Sequence, residues 1–188
     1  MNVEKHGIHI ECVTGEIVRQ PDVDAVVNAA NAELMPGGGV AGAIHRAASP
    51  GLAEECRPMA PIQPGQAVVS SGHNLPNRWV IHCLGPVYGV DEPADRLLAA
   101  CYSNALRMAD EKGMASIAFP AISTGAFGYP PEQAAGVCAG AVKQTLPALA
   151  LVKLIRFVLF DDNARKILQR AMVEAGLMPG QSAPNTSP

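Results

Sequence analysis

The sequence predicts an α/β fold built on a mixed, largely parallel sheet with helices on both faces. Three observations carry this. Short apolar runs alternate along the chain with stretches of helical spacing. Two of the runs, "DAVVNAA" (Asp24 to Ala30) and "RWVIHCLG" (Arg78 to Gly85), have unbroken apolar centres, as strands buried on both faces do. Loops rich in glycine and proline separate strand from helix.

Taken in order, "GIHIECV" (Gly7 to Val13) alternates as a short strand and "DAVVNAA" follows as a buried one. A helix is expected from Val40 to about Ala48. "QAVVSSG" and "RWVIHCLG" are two further strands. A helix from about Asp91 to Lys112 places Leu98, Tyr102, Ala105 and Ala109 on one face. "ASIAFPAI" (Ala115 to Ile122) is a strand, and Pro130-Pro131 opens the next helix, where proline is tolerated. "LIRFVLF" (Leu154 to Phe160) is the last strand, and Asp161 or Asp162 caps a final helix whose Ala164, Ile167, Leu168, Ala171, Met172 and Ala175 share one face.

With 188 residues, 48% hydrophobic and 16% charged, the chain suits one globular domain, expected over residues 1–177. The remainder, 178–188, reads as a polar Pro/Ser tail without fixed structure. A net charge of −3 argues against a broad basic face for nucleic acid. No stretch has the order of a signal peptide and no apolar run approaches a bilayer span, so no membrane partner is expected. The five cysteines form no C-x-x-C pair and read as buried free thiols, which points to a reducing cytoplasm. The histidines and cysteines lack zinc-ligand spacing, no G-x-x-x-x-G-K-[ST] loop is present, and neither metal nor cofactor is expected.

Ligands of such sheets bind where strands end in loops. In "PGGGVAGAIH" (Pro36 to His45), Gly37, Gly39 and Gly42 match the dinucleotide pattern G-x-G-x-x-G by spacing. The context does not match. Nine residues separate Val27 from Gly37, and the next acids, Glu54 and Glu55, come too early for a ribose-binding carboxylate. An anion cradle fits better, with glycine amides near a phosphate and a helix N-terminus behind them, although a plain flexible turn stays open at this point. "PAISTGAFGYPPE" (Pro120 to Glu132) is a second loop of that kind. Neither holds a lysine or arginine, so a phosphate there meets neutral donors only. In "VVNAAN", Asn28 is expected to tie down the loop, and Asn31 to reach a ligand. His45 and His82 read as structural.

"DAVVNAAN", "GGGVAGAIH", "VIHCLGPVY", "SIAFPAISTGAFGYP" and "FVLFDD", in that order, resemble the macro domain family. The resemblance runs from Ile8 to Ala175 and implies a three-layer α/β/α sandwich that binds ADP-ribose. It further implies, for many members, hydrolysis of mono-ADP-ribosyl esters on proteins, of ADP-ribose 1″-phosphate or of O-acetyl-ADP-ribose. Gly37, Gly38, Gly39 and Val40 would form one wall of the diphosphate and distal-ribose site, and Ser123, Thr124, Gly125, Ala126 and Phe127 the other. Glu16 stands where the family's "TGDI" turn has an aspartate that accepts from the adenine amino group, with Ile17 beside it. Phe160 stands where an aromatic packs on the adenine, and Asn31 would hold a ribose hydroxyl and serve as the catalytic residue. Ala41 is the departure: one hydrolase branch reads "GGGVDGAIH" and assigns its aspartate to activating water, whereas viral and some archaeal members share the alanine. A hydrolase is therefore expected, with a non-catalytic ADP-ribose reader as the alternative.

Overall fold

The computed structural model describes residues 5–180. Its strands are β1 (His9–Thr14), β2 (Ala25–Ala29), β3 (Ala67–Ser71), β4 (Trp79–Cys83), β5 (Ser116–Phe119) and β6 (Leu154–Leu159). Its helices are α1 (Gly39–Ala48), α2 (Pro50–Cys56), α3 (Ala94–Glu111), α4 (Pro131–Thr145) and α5 (Asp162–Glu174). The strands form one sheet in the order β1-β6-β5-β2-β4-β3. All neighbours pair in parallel except β3 and β4, which are antiparallel.

Alternation along the strands sorts the core into two layers. Val27, Ile81, Ile117, Phe119, Ile155 and Phe157 pack with α3, α4 and α5, while Val26, Val80, Ala118 and Val158 pack with Ile44, Ala48 and Leu52 of α1 and α2. The result is a three-layer α/β/α sandwich. On the α3 side, Tyr102, Phe119 and Phe157 form an aromatic cluster, with Phe119 and Phe157 stacked at 5.4 Å between centroids.

The elements differ from expectation at a few boundaries. The third helix starts at Ala94 and not near Asp91, because Pro93 biases the residue before it away from helical geometry. The Asp91 carboxylate instead accepts from the Val87 amide at 2.8 Å. The strand in "ASIAFPAI" spans only Ser116–Phe119, and the last strand stops at Leu159, one residue short of Phe160. α2 was not foreseen: its seven residues open on Pro50-Gly51, which reads as a turn.

The final helix is capped by Asp161, whose Oδ1 accepts from the Ala164 amide at 2.8 Å. Of the expected tail, 178–188, residues 181–188 lie outside the described residues, and the Met178 sulfur lies 3.9 Å from the Cys12 thiol. All five cysteines are free, four buried and Cys12 half-buried. Among the described residues no helix is long and apolar enough to cross a membrane.

Candidate functional site

The sheet order opens a crevice at one place. β2 and β5 are parallel neighbours, yet the chain leaving β2 passes to α1 on one face, and the chain leaving β5 passes to α4 on the other. Loops that diverge in this way leave a gap outside the carboxyl ends of the strands. Its walls are the glycine loop after β2 and the Ser123–Phe127 segment after β5. Gly15 follows β1, and its amide bonds Leu159 O of β6 at 3.0 Å, so the Glu16 turn and Phe160 continue the same edge.

The glycines have separate duties. Gly39 takes a φ of +55°, a left-handed conformation that side chains disfavour, and so turns the loop into α1. Gly42 lies against the Gly37 carbonyl, where a Cβ would collide. A Cβ on Gly38 would meet nothing within 4 Å, so it would project into free space at the helix end. α1 has Gly38 at its N-cap, no side-chain cap bond and no acid in its first turn. The amides of Gly37, Gly38, Gly39, Val40 and Ala41 accordingly donate to no protein group among the described residues.

The second wall has a similar supply of donors. The amides from Ser123 to Phe127 also lack partners among the described residues, and Ser123 holds a φ of +66°. The wall is fixed from three sides: the Ile122 amide donates to the Tyr102 hydroxyl at 3.1 Å, the Ser123 hydroxyl donates to Pro86 O at 2.8 Å, and the Tyr88 amide donates to Phe127 O at 2.9 Å. The Ser123 hydroxyl is thus committed to the scaffold, which leaves its amide to face a ligand. The Thr124 hydroxyl likewise turns back to Ala121 O at 3.1 Å.

At the far end, Phe160 is 92% exposed, which excludes core packing as its purpose. Ile17 is buried, and the exposed Glu16 carboxylate pairs with Arg19 at 2.6 Å. At the other end, Phe127 is half-buried against the α1-side core, with Tyr88 beyond it. The sequence motif "VIHCLGPVY" ended on Tyr88, but nothing in its spacing marked it as a neighbour of Phe127.

Asn28 has a different duty from that expected, and Asn31 has one the sequence did not show. Asn28 does not tie down its loop; fully buried, its amide nitrogen lies 3.1 Å from His82 Nδ1 on β4. His82 Nε2 lies 2.8 Å from the Ser70 hydroxyl, and the ring is satisfied, as expected for a core histidine. Burial pushes its pKa down to about 4. Asn31 is the residue that ties the loop: its amide donates to Met35 O at 2.8 Å and its Oδ1 accepts from the Met35 amide at 3.0 Å. One N–H and one lone pair of that amide stay free to meet a ligand. Ala41 is buried in the first turn of α1 and offers no polar group. Among the described residues no group of three or more His, Cys, Asp or Glu is placed to hold a metal ion.

A shape with paired, uncharged, amide-rich loops suits an elongated ligand that carries phosphates at its middle and an aromatic ring near Phe160. Residues 27–138 match the model of the family described as "Macro domain". The chain is 43% identical over 175 residues to a protein of an Enterobacter species named O-acetyl-ADP-ribose deacetylase, covering 90% of this chain and 97% of that one. It superposes on the Oceanobacillus iheyensis macrodomain solved with ADP at a TM-score of 0.87, with 36% identity over 93% of this chain and 95% of that one. The Trypanosoma brucei macrodomain in complex with ADP-ribose is similar at a TM-score of 0.80 and 35% identity, covering 86% of this chain and 68% of that one.

Proposed function

The chain belongs to the macro domain family, and from that premise we propose that it binds ADP-ribose along the crevice and hydrolyses mono-ADP-ribosyl esters of proteins, ADP-ribose 1″-phosphate or O-acetyl-ADP-ribose at the distal ribose. The observation that carries this reading is the bare N-terminus of α1. Its uncapped amides, opposite the unpartnered amides of Ser123 to Phe127, supply a diphosphate with donors and a positive dipole without any cation. Phe160 packs on the adenine, Glu16 accepts from its amino group and Ile17 lines its edge. Gly37 to Val40 and Ser123 to Phe127 clasp the diphosphate, Phe127 lies on the distal ribose, and Asn31 holds a ribose hydroxyl. One domain over residues 1–177 carries the whole activity. It acts in the cytoplasm, in keeping with five free cysteines.

In the ester reaction, water attacks C1″, the bond from C1″ to the acceptor oxygen breaks, and ADP-ribose and a carboxylic acid leave. Ala41 gives no base, so the substrate phosphate takes the role of orienting the water. Asn31, braced by Met35, presents C1″ to it. The absence of a carboxylate at Ala41 is also the observation that favours the second reading, a reader that binds ADP-ribose without turnover.

The experiment is turnover on a protein bearing ADP-ribosyl-glutamate, by the parent, Asn31→Ala and Ala41→Asp. Asn31→Ala is expected to lower turnover about 10²-fold, the scale of lost positioning. Ala41→Asp maintains or raises turnover, by about 10²-fold if the new carboxylate acts as general base. A silent parent that binds ADP-ribose and gains activity with Ala41→Asp identifies the reader. Full activity in Asn31→Ala removes that residue from the mechanism.

A further inference from the structure

Behind the glycine loop, on the side of α1 that faces α2, lies a second cleft of about 510 Å³. Gly42, His45, Arg46 and Ser49 of α1 and Pro50, Ala53, Glu54 and Arg57 around α2 line it, with Pro36 and Gly37 as its inner wall. The spacing of three and four residues along both segments shows that each contributes one continuous face. Ser49, with a φ of 70°, turns one segment into the other and sets the two arginines around the same space.

Three features of the lining are otherwise unexplained. His45 is 5% exposed, and both of its ring nitrogens are buried without a hydrogen-bond partner. Among the described residues it is the one buried side chain of which every polar atom is orphaned, and orphaned buried polar groups are rare. Arg46 is exposed, and its Nη1 lies beside Gly42, 2.9 Å from where a Cβ would stand. Neither Arg46 nor Arg57 forms an ion pair among the described residues, although Glu54 lines the same cleft. Two guanidinium groups against one carboxylate leave the cleft with one positive charge in excess. Burial lowers the His45 pKa.

We infer that this cleft is a second oxyanion site, in which Arg46 and Arg57 receive a carboxylate from the acceptor segment next to the ADP-ribosylated residue. The location supports that occupant. Gly37 is shared: one side of it belongs to the wall assigned to the distal ribose, and the other lines the cleft. An acceptor leaving C1″ beside Asn31 and Gly37 passes the mouth of the cleft within the reach of a neighbouring side chain. The substrate class is then a mono-ADP-ribosylated side chain in an acidic stretch of protein. This assignment rests on the proposed binding of ADP-ribose in the crevice.

Two peptides test it, each with one ADP-ribosylated side chain and flanked by glutamates in one case and glutamines in the other. At low salt the glutamate peptide should bind the full chain about tenfold more tightly, as expected for charge-assisted hydrogen bonds discounted for exposure. The doubly substituted Arg46→Gln/Arg57→Gln should bind both peptides alike while its affinity for free ADP-ribose stays that of the parent. Equal binding of the two peptides by the parent, or a preference that survives the double substitution, overturns the inference. Inorganic phosphate separates the sources of the anion: if it shifts the His45 ring resonances while the peptides bind alike, the cleft serves a free anion and the acceptor assignment fails. If neither peptide nor ADP-ribose binds, it is the reading of the crevice that has failed. A His45 shift with phosphate that is lost in the double variant still reports the cleft.

Discussion

Four helices begin after a strand, and their first turns differ in one respect. α3 carries Asp95 there, α4 carries Glu132 and α5 carries Asp162, whereas α1 carries no acid. α5 is also capped by Asp161, and Asp162 pairs with Arg165 and Lys166. α1 begins on Gly38 with nothing on its amides. A good cap contributes about 1 kcal/mol and an acid in the first turn about 0.3–1 kcal/mol. The sequence supplies a first-turn acid at the three other helix ends, with a side-chain cap as well at α5, and withholds both at the glycine-loop end of α1. Under the proposed function, an oxyanion from outside the chain completes that end.

The sharpest way to break this contrast is to supply the missing charge. Gly38→Glu should abolish ADP-ribose binding, a loss of at least about 4 kcal/mol from repulsion and displaced charge-assisted bonds. Its melting temperature should stay near that of the parent, since a Cβ at Gly38 meets open space. Isothermal titration beside a thermal melt checks both, and unchanged affinity would remove the cradle from this helix end.

The next effect belongs to the scaffold. His82 has its pKa lowered to about 4 by burial, against about 6.5 in an unfolded chain, so the unfolded state binds the extra proton between those values. Stability is therefore full above pH 6.5 and falls as pH drops toward 4, by about 3 kcal/mol, with His45 adding in the same direction. Urea titrations at pH 7 and pH 4.5 measure it; a flat profile would contradict the burial of both rings.

Asp161→Ala is smaller and tests the other arm of the comparison. It should destabilise the protein by about 1 kcal/mol and leave the ADP-ribose affinity unchanged, because α5 is closed by its own side chain. A parallel loss of binding would show that the α5 end also serves the ligand. The smallest effect is that of salt. No lysine or arginine lies in either loop, so ADP-ribose affinity should change less than about threefold between 50 and 500 mM salt. The Arg46–Arg57 cleft should lose its preference over the same range.

The contrast between helix ends was legible before any coordinates, because it is written in local residues: "GGGVAG" has no acid, and "FDDN" has two. All six strands were legible for the same reason, as apolar runs within single segments. What escaped the sequence depends on partners far along the chain. Asn28 and Asn31 stand three residues apart in one motif, yet it is Asn31 that ties the loop while Asn28 bonds across the sheet, since His82 is 54 residues from Asn28 and only the pairing of β2 with β4 brings it close. Met35, which braces Asn31, has no polar side chain to announce it; only its backbone is used. Arg46 and Arg57 share a cleft through the turn at Ser49, whose left-handed φ no serine advertises.

The sheet order also fixes when the molecule can be finished. β1 has one neighbour, β6, and His9 pairs with Leu154. A ribosome therefore releases the first strand long before its partner exists, and β1 stays unpaired until nearly the whole chain has emerged. The Glu11–Arg156 ion pair at 2.6 Å, spanning 145 residues, forms at that same closing event. Contacts of such separation are slow to form, because chain entropy is lost before they repay it. Glu16 and Phe160 sit at the ends of these two strands, so the end of the crevice proposed for adenine is assembled last. A nascent chain stalled before β6 would carry a finished glycine loop and half a binding site.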